Sequence, residues 1–413
     1  MLSACGQGQV PVGSSANAPQ SLRGFTPNGI TSRFQLLYSF SVNRTPFSWA
    51  PESSLTFVDG DLYGTTELGG TRQGGTMFTL GSRGRLRVLH NFKAKNGFHP
   101  TAGVTEFKGL LYGTTEFGGL GCRGTDCGAG VLYSISPSGL HYRVVHSFTG
   151  LADGGYPSPA NLIVLNGKLY GTTLGGGTGC ASSGGCGTVF AIDSSGNLTT
   201  VYAFRGAADG QQPMGVVALN GTLYGTTTTG GAYTCSYSTG CGTIFSLTTS
   251  GAKATLFNFS GRNGYWPLAG LTALNGALYG TASRGGVEVK CIYAISKGCG
   301  TVFELSTSGR YRVLHRFEGI NGDGATPQAA PVALNGTLYG TTYYESREPG
   351  YGGAGTVYSV TPAGNEAVLH VFQGAPYDGA HPSAPLTSHK DLLYGTTKSG
   401  GASNRGAIFA LTP

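Results

Sequence analysis

Charge is scarce in this chain. Asp, Glu, Lys and Arg make up only 11% of its 413 residues, against roughly 25% in an ordinary soluble protein. The 26 basic and 19 acidic side chains leave a formal +7, yet no Lys/Arg block concentrates it. That spread argues against the basic stripe on which a nucleic-acid partner would bind. Long apolar runs are missing too, and no segment approaches the length that spans a bilayer. Tryptophan occurs only twice, which argues against a cofactor site walled by many indole rings.

What the chain has instead is glycine, 73 residues of it, and a repeat. An apolar residue followed by a Tyr-Gly-Thr-Thr phrase, ending in Ala282 instead of threonine in one copy, occurs seven times, with the tyrosines at Tyr63, Tyr112, Tyr170, Tyr224, Tyr279, Tyr339 and Tyr394. A spacing of roughly 50–60 residues marks tandem copies of one supersecondary unit. In the unit 267–317, residues 268–274 alternate as a first strand, Asn275-Gly276 is a hairpin signal and 277–281 return as a second strand. A Gly-rich loop opens at Gly285-Gly286. Residues 300–305 then alternate as a third strand, Ser308-Gly309 turns the chain, and 311–317 form a fourth.

Seven units of four short antiparallel strands predict an all-β fold, a seven-bladed β-propeller of four-stranded blades. Residues 33–40 match the fourth strand of a unit but precede the first complete unit, whereas the chain from His381 onward supplies only three strands. The N-terminal strand is therefore expected to complete the last blade, closing the ring and removing its open edges. Two segments follow from this: 1–32, rich in Gly, Ser, Pro, Asn and Gln, as a flexible tether, and 33–413 as the propeller.

Eight of the nine cysteines fall in pairs in the loop between strands two and three: Cys122 with Cys127, Cys180 with Cys186, Cys235 with Cys241, and Cys291 with Cys299. Each pair brackets a short loop entering a Gly-Thr-Val-Phe type strand, which predicts four local disulfides and an oxidising compartment. Zinc is the weaker reading, because the spacing varies and no histidine recurs beside the pairs. The ninth, Cys5, ends the sequence Leu2-Ser3-Ala4-Cys5, a match to the lipobox of bacterial lipoproteins. Met1 leaves no room for a signal peptide, so the expected arrangement is a start upstream, with lipidation at Cys5 anchoring the protein to a membrane. The expected location is the periplasm or outer cell surface.

The succession Leu-Tyr-Gly-Thr-Thr, Gly-Gly, Gly-Thr-Val-Phe, Asp-Gly-x-x-Pro and Asn-Gly resembles the tandem repeat of the GloVer family, the Gloeobacter and Verrucomicrobia type repeat, over about residues 33–413. The resemblance implies a surface-anchored repeat protein and assigns no catalytic residue. The Gly-Gly doublets and the period also resemble kelch propellers, which supports the fold alone.

In a propeller the loop between strands two and three shares a face with the connection from strand four to the next blade. The cysteine loops and the Asp/Asn-Gly-x-x-Pro connections should therefore share one face, and long loops on a rigid scaffold are where function sits. Asp153, Asp209, Asp323 and Asp378, with Asn96 and Asn263, suit turns better than a ring of calcium sites. His90, His146, His315 and His370 occupy one position of the fourth strand, where Tyr38, Tyr202 and Phe257 replace them. That pattern is an aromatic slot. The repeated tyrosines read as packing.

The residues before each connecting proline do not repeat: Phe98-His99, Gly155-Tyr156, Gln211-Gln212, Tyr265-Trp266, Ala325-Thr326 and Ala380-His381. Trp266, Tyr265, Tyr156, His99 and His381 are thus the candidate binding residues, since aromatic side chains stack on sugars or anchor protein partners. The expected function is a monomeric, lipid-anchored binding or scaffold protein for a glycan or protein, with no cofactor, no metal and no catalytic residue. The alternative is a polysaccharide lyase or glycosidase drawing its carboxylates from Glu67, Glu116, Asp126 and Glu288 on the same face. Sialidase-type Ser-x-Asp-x-Gly-x-Thr-Trp boxes are absent.

Overall fold

The repeated Tyr-Gly-Thr-Thr phrase forms the second strand of every blade, and each of its residues has a separate structural role. A computed structural model describes residues 33–41, 48–122, 127–180, 184–235, 240–286, 291, 298–320, 322–345 and 353–413. Blade 1 runs from Thr56–Val58 through Asp61–Thr66 and Thr76–Leu80 to Leu86–Asn91. The second strands of blades 2 to 7 are Leu110–Thr115, Lys168–Gly175, Thr222–Thr229, Ala277–Ala282, Thr337–Thr342 and Leu392–Thr397. The result is an all-β, seven-bladed propeller, with two single 3-10 turns among the described residues, at Ala94–Asn96 and Ala207–Asp209.

The tyrosines are buried or nearly so. The glycine lies beneath a third-strand ring: a Cβ on Gly171 would stand 2.5 Å from Phe190 Cζ, and Gly64 under Phe78, Gly280 under Phe303 and Gly395 under Phe409 are alike. No side chain fits there. The first threonine reaches the next blade, with Thr65 Oγ1 donating to Ala102 O at 2.9 Å, Thr281 to Ala329 O at 2.9 Å and Thr396 to Ser53 O at 2.9 Å. The second threonine ties strand two to strand three, as in the Thr66–Thr76, Thr173–Thr188, Thr227–Thr243 and Thr342–Thr356 hydroxyl pairs at 2.8 Å.

Aromatic rings complete each of the seven blade interfaces. The residue ending one fourth strand meets the third-strand ring of the next blade edge-on: Phe92–Tyr133, Phe148–Phe190, Phe204–Phe245, Phe259–Phe303, Phe317–Tyr358, Phe372–Phe409 and Phe40–Phe78, with centroids 5.1–5.5 Å apart. Such pairs each add about 0.5–1.5 kcal/mol beyond the area they bury. The seventh pair comes from the N-terminal strand Phe34–Ser39, which pairs antiparallel with Ala407–Leu411 as the outermost strand of blade 7. Closure therefore follows the expected shared-blade scheme.

A bulge in the fourth strand recurs in all seven blades, and the N-terminal strand carries it between Leu36 and Tyr38. Bulges re-aim the following side chain. In five blades the bulge aims the slot ring at the acid or amide of the next connection: His90 Nε2 lies 3.0 Å from Asn96 Nδ2, His146 Nε2 2.9 Å from Asp153, His315 Nε2 3.2 Å from Asp323 and His370 Nε2 2.8 Å from Asp378, and Tyr202 Oη donates to Asp209 at 3.0 Å. The aspartates also cap their turns, as where Arg205 N donates to Asp209 at 2.9 Å. The slot and turn readings account for these residues.

The first strand is shorter than the sequence suggests. Of the expected 268–274, only Thr272–Leu274 pairs with the second strand as a strand of its own. In blade 4 the register jumps between Pro213 and Val216. Before each connecting proline, Ala50, His99, Tyr156, Gln212, Trp266, Thr326 and His381 all take a left-handed φ of 52–58°. That conformation is costly for residues with a side chain.

Candidate functional site

The seven left-handed residues stand in a ring, and each is held from behind. The amide of each donates to the segment entering the third strand of the preceding blade: Gln212 N to Cys186 O at 2.9 Å, Trp266 N to Cys241 O at 3.1 Å, Thr326 N to Cys299 O at 2.7 Å and Tyr156 N to Ala129 O at 2.7 Å. Three of these acceptors belong to disulfide cysteines. All four expected disulfides are present, Cys122–Cys127, Cys180–Cys186, Cys235–Cys241 and Cys291–Cys299, with Cα separations of 5.1–5.6 Å. The cysteine loops thus brace the rim.

Beyond the left-handed residue and its proline, the chain lines the propeller axis. Glu52, Thr101, Met214, Leu268, Gln328 and Ser383, each next after a connecting proline, surround a cavity of about 260 Å³ together with Glu116 and Leu174. A second cavity of about 400 Å³ continues along the inner strands past Ser54, Ala160, Gly215, Gly270, Ala330 and Pro385. Pro159 borders both. Together they trace the axial channel, and the first is its mouth on the disulfide face.

Three rings of side chains converge on that mouth, and none repeats around the axis. They are the left-handed residues, the residues after the prolines, and the residues after each Thr-Thr or, in blade 5, Thr-Ala: Glu67, Glu116, Leu174, Thr228, Ser283, Tyr343 and Lys398. Backbone bonds couple the first and third rings, with Glu116 N donating to His99 O at 3.0 Å, Ser283 N to Trp266 O at 3.1 Å and Lys398 N to His381 O at 3.2 Å. The four-stranded framework beneath them repeats in every blade.

The charged part of the rim sits on the seam where blade 7 meets blade 1. Lys398 Nζ pairs with Glu52 and lies 3.8 Å from Glu67. Burial, followed by repulsion from Glu67, pushes the Glu52 carboxyl up to about 7 against the pull of Lys398. Burial opposes the charge of Lys398, but Glu52 and Glu67 outweigh it and hold its pKa above the usual value. His381 stacks on Tyr343 with centroids 4.9 Å apart and bonds Ser399 Oγ through Nδ1 at 2.7 Å. Burial, aided by Lys398, lowers its pKa.

The aromatic part is continuous over blades 2 and 3. Phe98 packs against His99 at 4.5 Å, His99 meets Phe117 edge-on at 5.8 Å, and Phe117 meets Tyr156 at 5.8 Å. Tyr156 is 38% exposed. Trp266 is partly buried, with the Arg284 guanidinium 4.5 Å from its ring. Tyr265 is 4% exposed and supports Trp266 from below, edge-on at 5.9 Å. It offers no surface of its own.

The structure brings Glu67 and Glu116 to the mouth, whereas Asp126, Glu288 and Cys5 lie outside the described residues. Glu52 and Lys398 were missed by sequence reasoning. A signal existed, since the residue after each connecting proline varies as much as the residue before it.

Seven four-stranded blades with a braced, variable rim around an axial channel define the class: a seven-bladed propeller carrying disulfides on one face. The repeat model of the Gloeobacter/Verrucomicrobia repeat family matches residues 23–181, 122–348 and 291–413, and the chain belongs to that family. Among solved structures it is similar to a streptogramin B lyase, with 14% identity and a TM-score of 0.58 over 91% of this chain and 97% of the other. An oligogalacturonate lyase in complex with manganese is similar at 10% identity and a TM-score of 0.52, covering 88% and 89%. A puromycin hydrolase matches at 12% and 0.53 over 87% of this chain and 52% of that one. At such identities the likeness shows the fold alone. No curated protein matches the sequence. The four disulfides agree with an extracytoplasmic location, and no helix among the described residues is long and apolar enough to cross a membrane.

Proposed function

We propose that this protein is a surface binding protein, tethered through a lipid on Cys5, that holds a glycan on the disulfide face at the mouth of the axial channel. The carrying observation is the contrast between a scaffold that repeats seven times and three rings of rim side chains that do not. A protein shaped only to fill space would repeat the rim as well. Aromatic faces at Tyr156, His99 and Trp266 suit the apolar faces of sugar rings, and Glu52, Glu116 and Gln328 supply polar groups for hydroxyls. A protein partner would be expected to use the same anchors.

Purified surface polysaccharides tested by calorimetry should bind the wild type. Trp266→Ala should weaken that binding by roughly 2 kcal/mol or more, the size of an interface hot spot. Binding indifferent to both Trp266→Ala and Tyr156→Ala would refute the assignment of the face. One observation favours a second reading, a glycan lyase or glycosidase: Glu52 and Glu67 are paired carboxylates, one held near neutrality. Turnover of a bound polysaccharide that collapses in Glu52→Gln with binding retained would establish that reading instead.

A further inference from the structure

At the start of every fourth strand one residue faces the slot ring of the preceding blade. The strand registers identify it as Leu86, Leu198, Lys253, Tyr311, Glu366 and Phe34, and in blade 2 Tyr142, just before the strand, takes this place against His90. In five blades it is apolar or aromatic, as where Tyr142 stacks on His90 at 3.7 Å or Phe34 on His370 at 3.6 Å. Two blades carry a charge. Lys253 is 4% exposed and its Nζ lies 2.7 Å from Asp209, so the blade 3 connection is neutralised from the next blade.

Glu366 does the opposite. It brings a second carboxylate against Asp323 and His315, and the ligand atoms of the three lie within 4.8 Å of one another. His315 Nε2 is 3.2 Å from Asp323 Oδ1, and Glu318 N, donating to Asp323 Oδ2 at 2.6 Å, fixes that carboxylate. Glu366 Oε1 is fully buried and has no hydrogen-bond partner among the described residues. A buried carboxylate oxygen without a partner, beside a second carboxylate, calls for a cation. At the equivalent place in blade 4 that cation is supplied by the chain itself.

We infer that His315, Asp323 and Glu366 form a divalent metal site joining blades 5 and 6. One imidazole nitrogen with two carboxylates is a donor set for a zinc-class ion and too poor in oxygen for calcium. His315 and Asp323 are each 20% exposed, which leaves room for water in the remaining coordination positions. The pairs His146–Asp153 and His370–Asp378 lack the third ligand, because Leu198 and Phe34 stand in its place. They act as internal controls and should not bind.

Zinc titration by calorimetry tests the site, with the change in unfolding temperature as a second readout. The wild type should bind one equivalent at this site and melt higher with zinc than without. The double variant His315→Tyr, Glu366→Lys reproduces the Tyr202–Asp209–Lys253 arrangement that the fold already contains, so it should fold. It should lose that equivalent, weakened by at least about 10- to 100-fold, and melt at the same temperature with or without zinc. Glu366→Gln alone should weaken binding in the same direction. No saturable binding by the wild type, or binding that survives both variants unchanged, would overturn the inference.

Discussion

Thr396 Oγ1 donates to the carbonyl of Ser53 at 2.9 Å across 343 residues of sequence. Both residues are buried, at 2% and 1% exposure, and the same bond joins Thr281 to Ala329 between blades 5 and 6. The seam between the last blade and the first is thus built like an internal interface. It also brings Lys398 to Glu52 and Glu67.

Removing residues 33–40 should therefore damage more than one blade. The strand Ala407–Leu411 would become an open edge, and Phe78 would lose the Phe40 ring 5.5 Å away. Losing one such buried phenylalanine alone costs about 3–5 kcal/mol. The expected outcome is a lower unfolding temperature with aggregation, followed by thermal melting with light scattering. A truncated protein that melts like the wild type and stays monodisperse would contradict the closure.

Gly171→Ala tests the packing of the repeat. Its Cβ would lie 2.5 Å from Phe190 Cζ and 2.6 Å from Leu162 Cδ2, so the ring must shift at a cost of about 1–3 kcal/mol. Gly167→Ala in the exposed hairpin has open space around its Cβ but a φ of 73°. It separates steric crowding from backbone strain. Denaturant unfolding should show Gly171→Ala as the more destabilised of the two.

Reduction of the disulfides should impair the rim before the ring. The closed loops are short, with partners 5–8 residues apart, so each bond contributes roughly 2 kcal/mol by chain-entropy reasoning. Hydrogen exchange under reducing conditions should rise first at the amides of Gln212, Trp266 and Thr326, which donate to disulfide cysteines. Uniform exchange across all strands would argue against a braced rim.

The pH dependence of stability should carry the mark of Glu52. Burial and then Glu67 raise its carboxyl from 4.5 to about 7, so the folded protein binds this proton more tightly than the unfolded chain does. Its stabilising contribution is fully present below about 4.5 and is lost as pH rises through about 7. Glu52→Gln cannot titrate, so its unfolding temperature should fall less than that of the wild type between pH 4.5 and 7. Parallel profiles for the two proteins would remove Glu52 as the cause.

Period and pattern determined the architecture because they are local. Seven Tyr-Gly-Thr strands, the hairpin signals and a surplus fourth strand at 33–40 predict seven blades and their closure. Short-range cysteine spacing predicts the disulfides, since each loop can close in only one obvious way. The aromatic slot is legible as well, because one side chain type recurs at one register. What the sequence left open is what long-range closure decides. Glu52 and Lys398 stand far apart in the chain and meet only because the ring joins its ends. The channel mouth is formed by one to three residues from each of seven blades, and no local pattern gathers them. The left-handed turn before each proline is set by a hydrogen bond to the neighbouring blade, which no repeat unit contains by itself. Glu366 reads as one more exposed strand acid until packing presses it between the carboxylate and the imidazole of the blade before it.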